Sequence, residues 1–209
     1  MYIPPHFKQD DWASATQLMA EYSFAQLITV TDEAGLEISH IPVLYDEAEH
    51  QLVFHLAAVN EHNQGLTAHP VTVIFNGPHG YISPNWADKL LVPTWNYSAV
   101  HITGQVSEVV SPPEKLAAMT QMADFYESRL TPAWSLSELN DKQQQGMLKA
   151  IRCYSLQIDS WQAKHKLSQD KTAQTVAQIT EKLQGSVADS IQAYPFQDNH
   201  ALAKMMLKG

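Results

Sequence analysis

The segment "VPTWNYSAVHITG" (92–104) gathers the densest set of groups able to hold a small molecule. Thr94, Trp95, Asn96 and Tyr97 offer a hydroxyl, an indole N–H, a carboxamide and a phenol in consecutive positions. At a strand entrance, such groups can hydrogen-bond a planar heteroaromatic ligand while a ring packs on its face. Strand alternation places Tyr97, Ala99, His101 and Thr103 on one face and Ser98, Val100 and Ile102 on the other. Both faces therefore carry polar groups, unlike an ordinary core strand. The same pattern suits a tight turn whose aromatics are structural and lie at a subunit seam.

Two further stretches carry chemistry. In "VFHLAAVNEHN" (53–63), His55 shares a strand face with Val53 and Ala57, the usual setting of a hydrogen-bonded core histidine. Asn60 can cap a helix that follows, and a free helix start there would suit a phosphate. In "KHKLSQD" (164–170), Lys164 and Lys166 share a strand face and can meet a phosphate, or simply end a solvated strand. Ser168 or Asp170 can cap the last helical region.

Other chemistries find little support. The 10 histidines invite a metal or a haem, yet there is no HExxH and no Cys/His spacing suited to zinc. Cys153 lies in an apolar run, which predicts a buried, inert thiol. No GxSxG, no Gly-rich phosphate loop and no marked carboxylate pair is present.

The elements that must position these residues follow from periodicity. Residues 9–22 have helical spacing, with Trp12, Leu18, Met19 and Tyr22 able to share a face. Runs 24–31, 36–46 and 51–59 read as a meander of strands, with "DEAG" (32–35) as a turn. Residues 60–70 start as a short helix, and 71–77, 79–84 and 96–110 are strands. "SPPE" (111–114) marks a helix start, with Ser111 and Glu114 as a capping box and Pro112 at the first helical position. A loop (130–139), a helix (140–151) and a strand (153–164) follow. Beyond residue 170 the chain is polar and helix-prone, with Gly185 and Tyr194-Pro195 as breaks.

This is an α+β pattern: six or seven strands in a mainly antiparallel sheet curled into a barrel, with flanking helices and a helical C-terminal region. A division into 1–170 and 171–209 is expected. The net charge of −9 argues against a nucleic-acid footprint, which needs a basic face. The start "MYIPPHFKQDDW" has no basic and apolar leader, and no apolar run approaches the roughly 20 residues that span a bilayer. A cytoplasmic protein is expected, without an internal disulfide because Cys153 stands alone.

The stretches "MYIPPHF", "GPHGYISPNW", "VPTWNYSAVH" and "KHKLSQ" occur in an order and at distances that resemble the PaiB family, from residue 1 to about 185. That family is a branch of the FMN-binding split-barrel proteins. The resemblance implies a six-stranded antiparallel split barrel, a homodimer, and FMN held between subunits. The family's label, a negative transcriptional regulator, implies a regulatory role or redox sensing. Residue by residue, it implies flavin contacts from Ser39, His40, His55, Asn60, Thr94, Trp95, Asn96, Tyr97, Lys166 and Gln169. There are departures. After "FHLA" the family continues with Arg, then Asn-Pro and Trp; here Ala58, Glu61 and Asn63 stand at the Arg, Pro and Trp positions, and Ala87 replaces an aromatic. A lost phosphate-binding Arg weakens the FMN case, unless Lys164, Lys166 or a partner-chain residue compensates. An FMN-dependent oxidoreductase, a haem-binding split barrel, and a relative that has shed its flavin are the alternatives.

Overall fold

The computed structural model describes residues 1–31, 35–88, 92–189 and 199–208. Its elements are β1 (Lys8–Gln9), α1 (Trp12–Glu21), β2 (Phe24–Thr31), β3 (Gly35–Asp46), β4 (Gln51–Ala57), β5 (Val71–Ile82), β6 (Thr94–Val109), α2 (Pro112–Glu127), α3 (Asp141–Lys149), β7 (Ile151–Lys166), α4 (Ala173–Asp189) and α5 (Asn199–Met206). The sheet order is β1-β7-β4-β3-β2-β5-β6, and β7 also pairs with β6, so β2 to β7 close into a ring. The fold is the expected α+β split barrel. The chain forms two compact units, Tyr22–Phe75 with Ile102–Trp161, and Met1–Glu21 with Asn76–His101 and Gln162–Gly209.

In the first of these units, register and alternation build the barrel core. Phe24 to Thr31 pair with Pro42 to Gly35, and β4 pairs with β3 and β7 on its two sides. Leu27, Val43, Leu52, Phe54 and Leu156 point inward and are buried. Phe54 stacks on Tyr154 at 5.5 Å between ring centres. The opposite face of β2–β3 is apolar but exposed: Phe24, Val30, Leu36 and Ile38 all lie open. Val30 opposes Leu36 and Ile28 opposes Ile38, so the patch is one continuous cross-strand surface.

Helix α2 starts at Pro112, as "SPPE" predicts, but the Ser111–Glu114 capping box does not form. Pro112 and Pro113 set the helical φ and carry no N–H, so two of the helix's leading donors need no cap. Boxes form instead at Asn140–Gln143, which opens α3, and at Ser135–Glu138 in the preceding loop. The helices cover Leu44, Met119, Met122, Leu136 and Cys153 in one cluster. Cys153 is the buried thiol expected, and burial pushes its pKa up.

The second unit holds α1, β1, the ends of β5, β6 and β7, and the C-terminal helices. Strand β5 runs unbroken through Gly77 and Pro78, where two strands were expected. Proline's fixed φ is compatible with an extended chain and removes only a donor. Strand β7 continues through Lys166, past its expected end. The residue that caps α4 is Thr172, whose hydroxyl accepts from the Thr175 N–H at 3.2 Å, not Ser168 or Asp170. Ser168 has a left-handed φ of 66° and sits buried instead. Gly185 lies within α4 and breaks nothing, while the turn 32–34 and Tyr194-Pro195 lie outside the described residues. At Gly80 a Cβ would fall 2.8 Å from the Leu202 side chain, which lets α5 dock tightly on β5.

The ring itself has one tight point. At Gly104 on β6, a Cβ would fall 1.9 Å from the Gln157 carbonyl oxygen on β7. No rotamer relieves a clash with backbone. Gly104→Ala is expected to cost at least about 3 kcal/mol in urea unfolding, or to prevent folding; wild-type stability in that variant would show that β6 and β7 do not approach this closely.

Candidate functional site

The residues singled out in the sequence fall into the two units, and each group has its own geometry. In the unit with the C-terminal helices, the start of β6 meets the end of β7. Lys166 donates from Nζ to the Thr94 hydroxyl and to the Trp95 carbonyl, both at 2.5 Å, which clasps the two strand ends. Its ammonium also lies 5.7 Å from the Phe7 ring centre. Burial pushes the Lys166 pKa down, with Asp170 acting the other way. Lys164 on the same strand is only 6% exposed. Its Nζ donates to the Tyr2 carbonyl at 3.1 Å and lies 5.0 Å from the Tyr97 ring centre.

Neither lysine has a carboxylate in ion-pair contact among the described residues; Asp170 pairs with Lys171 at 2.7 Å instead. Two partly desolvated cations held by neutral oxygens and ring faces are an electrostatic deficit. An anion would relieve it.

Around them, Trp95 is 48% exposed, with His79 at 6.4 Å and Tyr81 at 5.9 Å between ring centres. Asn96 turns the other way. It is fully buried, donating to Ser168 at 2.9 Å and to the Met206 sulfur at 3.5 Å. Its amide is thereby committed to the chain itself. Gln169 accepts from the Leu167 N–H at 2.7 Å and donates to the His165 carbonyl, folding the turn after β7. His165 keeps its Nε2 buried without a partner among the described residues.

In the barrel unit, Ser39 and His40 are neighbours on β3 and face opposite sides. His40 lies on the exposed apolar face, 6.3 Å from Phe24 in a stacked arrangement. Ser39 points to the other side, where its hydroxyl lies 2.8 Å from Nδ1 of His62. Nε2 of that ring lies 2.5 Å from the Thr29 hydroxyl. Asn60 accepts from the His62 N–H at 2.9 Å and opens a single 3-10 turn, Glu61–Asn63, rather than a helix with a free start. Asn63 braces the loop: its amide donates to the carbonyls of Ala57, Ala58 and Asn60, and its oxygen accepts from the Tyr154 hydroxyl. His55 keeps Nδ1 buried and without a partner among the described residues.

The sequence reading missed His62, Asn63 and Tyr154. Their partners lie up to 91 residues away, and no local spacing announces them. The one available signal was the departure from the family pattern at positions 58, 61 and 63. The structure shows that loop braced by Asn63.

A family model described as "Putative FMN-binding domain" matches residues 1–160. Among curated proteins, the protease synthase and sporulation protein PAI 2 of Bacillus subtilis is 30% identical over 187 residues, covering 88% of this chain and 89% of its own. Among solved structures, the FAD and haem binding protein of Mycobacterium smegmatis aligns with a TM-score of 0.60 at 15% identity, over 76% of this chain and 73% of that one. The flavocytochrome Anf3 of Azotobacter vinelandii aligns at 0.56 and 12%, over 78% and 72%. These structural likenesses concern the fold. No helix among the described residues is long and apolar enough to cross a membrane.

Burial pushes the pKa values of His55, His62 and His165 below the ordinary histidine value of 6.5, with Glu37 opposing it at His62. The unfolded chain takes up these protons near 6.5 while the folded chain resists them, so stability is full above that pH and is lost as pH falls. The melting temperature is expected to drop by about 4 °C or more between roughly pH 7.5 and 5.5. A flat or rising profile over that window would contradict the buried neutral imidazoles.

Proposed function

The chain belongs to the PaiB family of FMN-binding-domain proteins, and on that premise we propose that it binds FMN as a homodimer. The observation that carries this reading is the lysine pair: Lys164 and Lys166 sit partly desolvated with no carboxylate in ion-pair contact among the described residues, and Lys166 bonds the backbone carbonyl of the half-exposed Trp95. A phosphate supplies the missing charge, and a planar ring system suits the indole. In this reading the lysines take over from the arginine that Ala58 replaces. Thr94, Tyr97 and Gln169 shape the same end. The buried amide of Asn96 holds the strand in place rather than touching the ligand. From the barrel unit, the family resemblance implies His55 and Ser39 as polar contacts; Nδ1 of His55 has no partner among the described residues, and Ser39 keeps one side uncommitted.

The faces of β3 support the dimer reading. A ligand on one side of that strand meets Ser39 or His40 of one protomer, not both. The apolar patch of Phe24, Val30, Leu36 and Ile38, with His40 on it, is the surface a second copy would cover. His40 would then reach a ligand at the seam from the partner.

Bound flavin supplies one- and two-electron chemistry, and the protein supplies orientation and charge. A regulatory role would be indirect, through flavin redox state or a partner, since a net charge of −9 disfavours a DNA footprint.

The test is an absorbance scan of the purified protein from about 300 to 600 nm, repeated after FMN addition and gel filtration. Retained flavin bands on a dimer are expected. Trp95→Ala should weaken FMN roughly tenfold with little loss of stability, because the indole is half exposed. Lys166→Met should weaken it more, by roughly thirtyfold. A colourless protein that releases all added FMN would instead point to a barrel that kept its shape and shed its cofactor.

A further inference from the structure

His62 has no place in the set of flavin contacts, yet two members of that set are bonded to it: Ser39 through its side chain and Asn60 through the backbone N–H. The ring is 2% exposed and lies between two hydroxyls, Thr29 at Nε2 and Ser39 at Nδ1. Hydrogen counting decides how this cluster is wired. A neutral imidazole carries one N–H and one bare nitrogen, so one hydroxyl must donate to it and the other must accept.

Thr29 is 1% exposed and has no other hydrogen-bond partner among the described residues. If Nε2 carried the hydrogen, the Thr29 hydroxyl would accept, and its own proton would be buried with nothing to bond. That arrangement forfeits a hydrogen bond outright. If Thr29 donates, Nε2 is bare, Nδ1 carries the hydrogen, and the Ser39 oxygen accepts it. The Ser39 proton then has no partner in the cluster, but Ser39 is only half-buried and can turn that proton outward. This second wiring satisfies every buried group.

We infer that His62 is a positioning residue: Thr29 fixes its Nδ1–H tautomer, and that tautomer makes Ser39 a hydrogen-bond donor to a ligand oxygen or nitrogen. The inference deepens the FMN reading and rests on it for the identity of the ligand; the tautomer itself does not. Glu37 on β3 is the charged group that acts on the ring; β2 and the turn present Thr29 and Asn60, both neutral. Burial holds the imidazole toward its neutral form, the state in which a tautomer has meaning. The carboxamide of Asn60 accepts from the His62 backbone N–H and fixes the turn that carries the ring, while burial and the two hydroxyls hold the ring itself.

Long-range proton–nitrogen correlation spectra of the full chain, recorded near neutral pH without ligand, read the tautomer directly. A hydrogen on Nδ1 and a bare Nε2 are expected; a hydrogen on Nε2 overturns the inference. Thr29→Val removes the hydroxyl at nearly constant volume. It should abolish the single-tautomer pattern and weaken FMN roughly fivefold to tenfold, as Ser39→Ala should, although Thr29 touches no ligand. Thr29→Ser should restore both the pattern and the affinity. FMN affinity unchanged in Ser39→Ala, in a protein whose wild type binds FMN, overturns the donor role. If Thr29→Val fails to fold, the wild-type spectrum and Thr29→Ser still decide. A wild type that retains no FMN strikes the flavin reading alone, because the spectrum is recorded without ligand.

Discussion

The closure of the strand ring is the constraint on which the rest depends. Strand β7 pairs with β4 along one edge and with β6 along the other, and this second pairing turns an open sheet into a barrel. It is possible because Gly104 has no side chain where the Gln157 carbonyl comes in. Closure removes the free edges of the long strands and fixes their register. A register slip of one residue on β6 would exchange buried Asn96, Ser98, Val100 and Ile102 for Trp95, Tyr97 and His101. The polar rim exists because that slip is forbidden.

Given that register, charge and burial are in tension at the end of β7. A strand that ends in Lys-His-Lys normally lets its cations reach water. Here Lys164 is enclosed by Tyr2 and Tyr97, and Lys166 is drawn onto Thr94 and Trp95. Each contact is favourable, but neutral oxygens and ring quadrupoles do not replace a counter-ion. Two buried nitrogens, on His55 and His165, have no partner among the described residues and add to the same picture of unfinished polar groups. Such unfinished groups are common where a protein is built to bind something and uncommon where it is built only to be stable.

The barrel loop shows the opposite behaviour. Where the resemblance implies Arg, Pro and Trp, this chain has Ala58, Glu61 and Asn63, and the bulk and charge of those three are gone. Instead Asn63 takes three carbonyls on its amide and the Tyr154 hydroxyl on its oxygen, which spends both donor and acceptor capacity of one side chain. His62 is fixed in turn by Asn60, Ser39 and Thr29. The loop is a tightly bonded polar scaffold.

The amino-acid sequence alone determined the element types, because alternation in 24–31, 36–46 and 51–57 and the proline-marked start of α2 are local signals. It also determined the family, through short motifs whose order survives substitution. It did not determine which partner each polar group would find. The cap of α4 moved to Thr172, the cap expected at Ser111 never formed, and Asn96 turned to Ser168 and α5, since a hydrogen bond is settled by whichever acceptor the packed chain brings within about 3 Å. Strand period alone implies that Ser39 and His40 face opposite sides, but which side is core and which is open apolar surface depends on the closed ring. The Thr29–His62–Ser39 cluster joins positions 33 and 23 residues apart. Only tertiary structure could decide that contact, because nothing in local spacing couples a strand to a turn so distant along the chain.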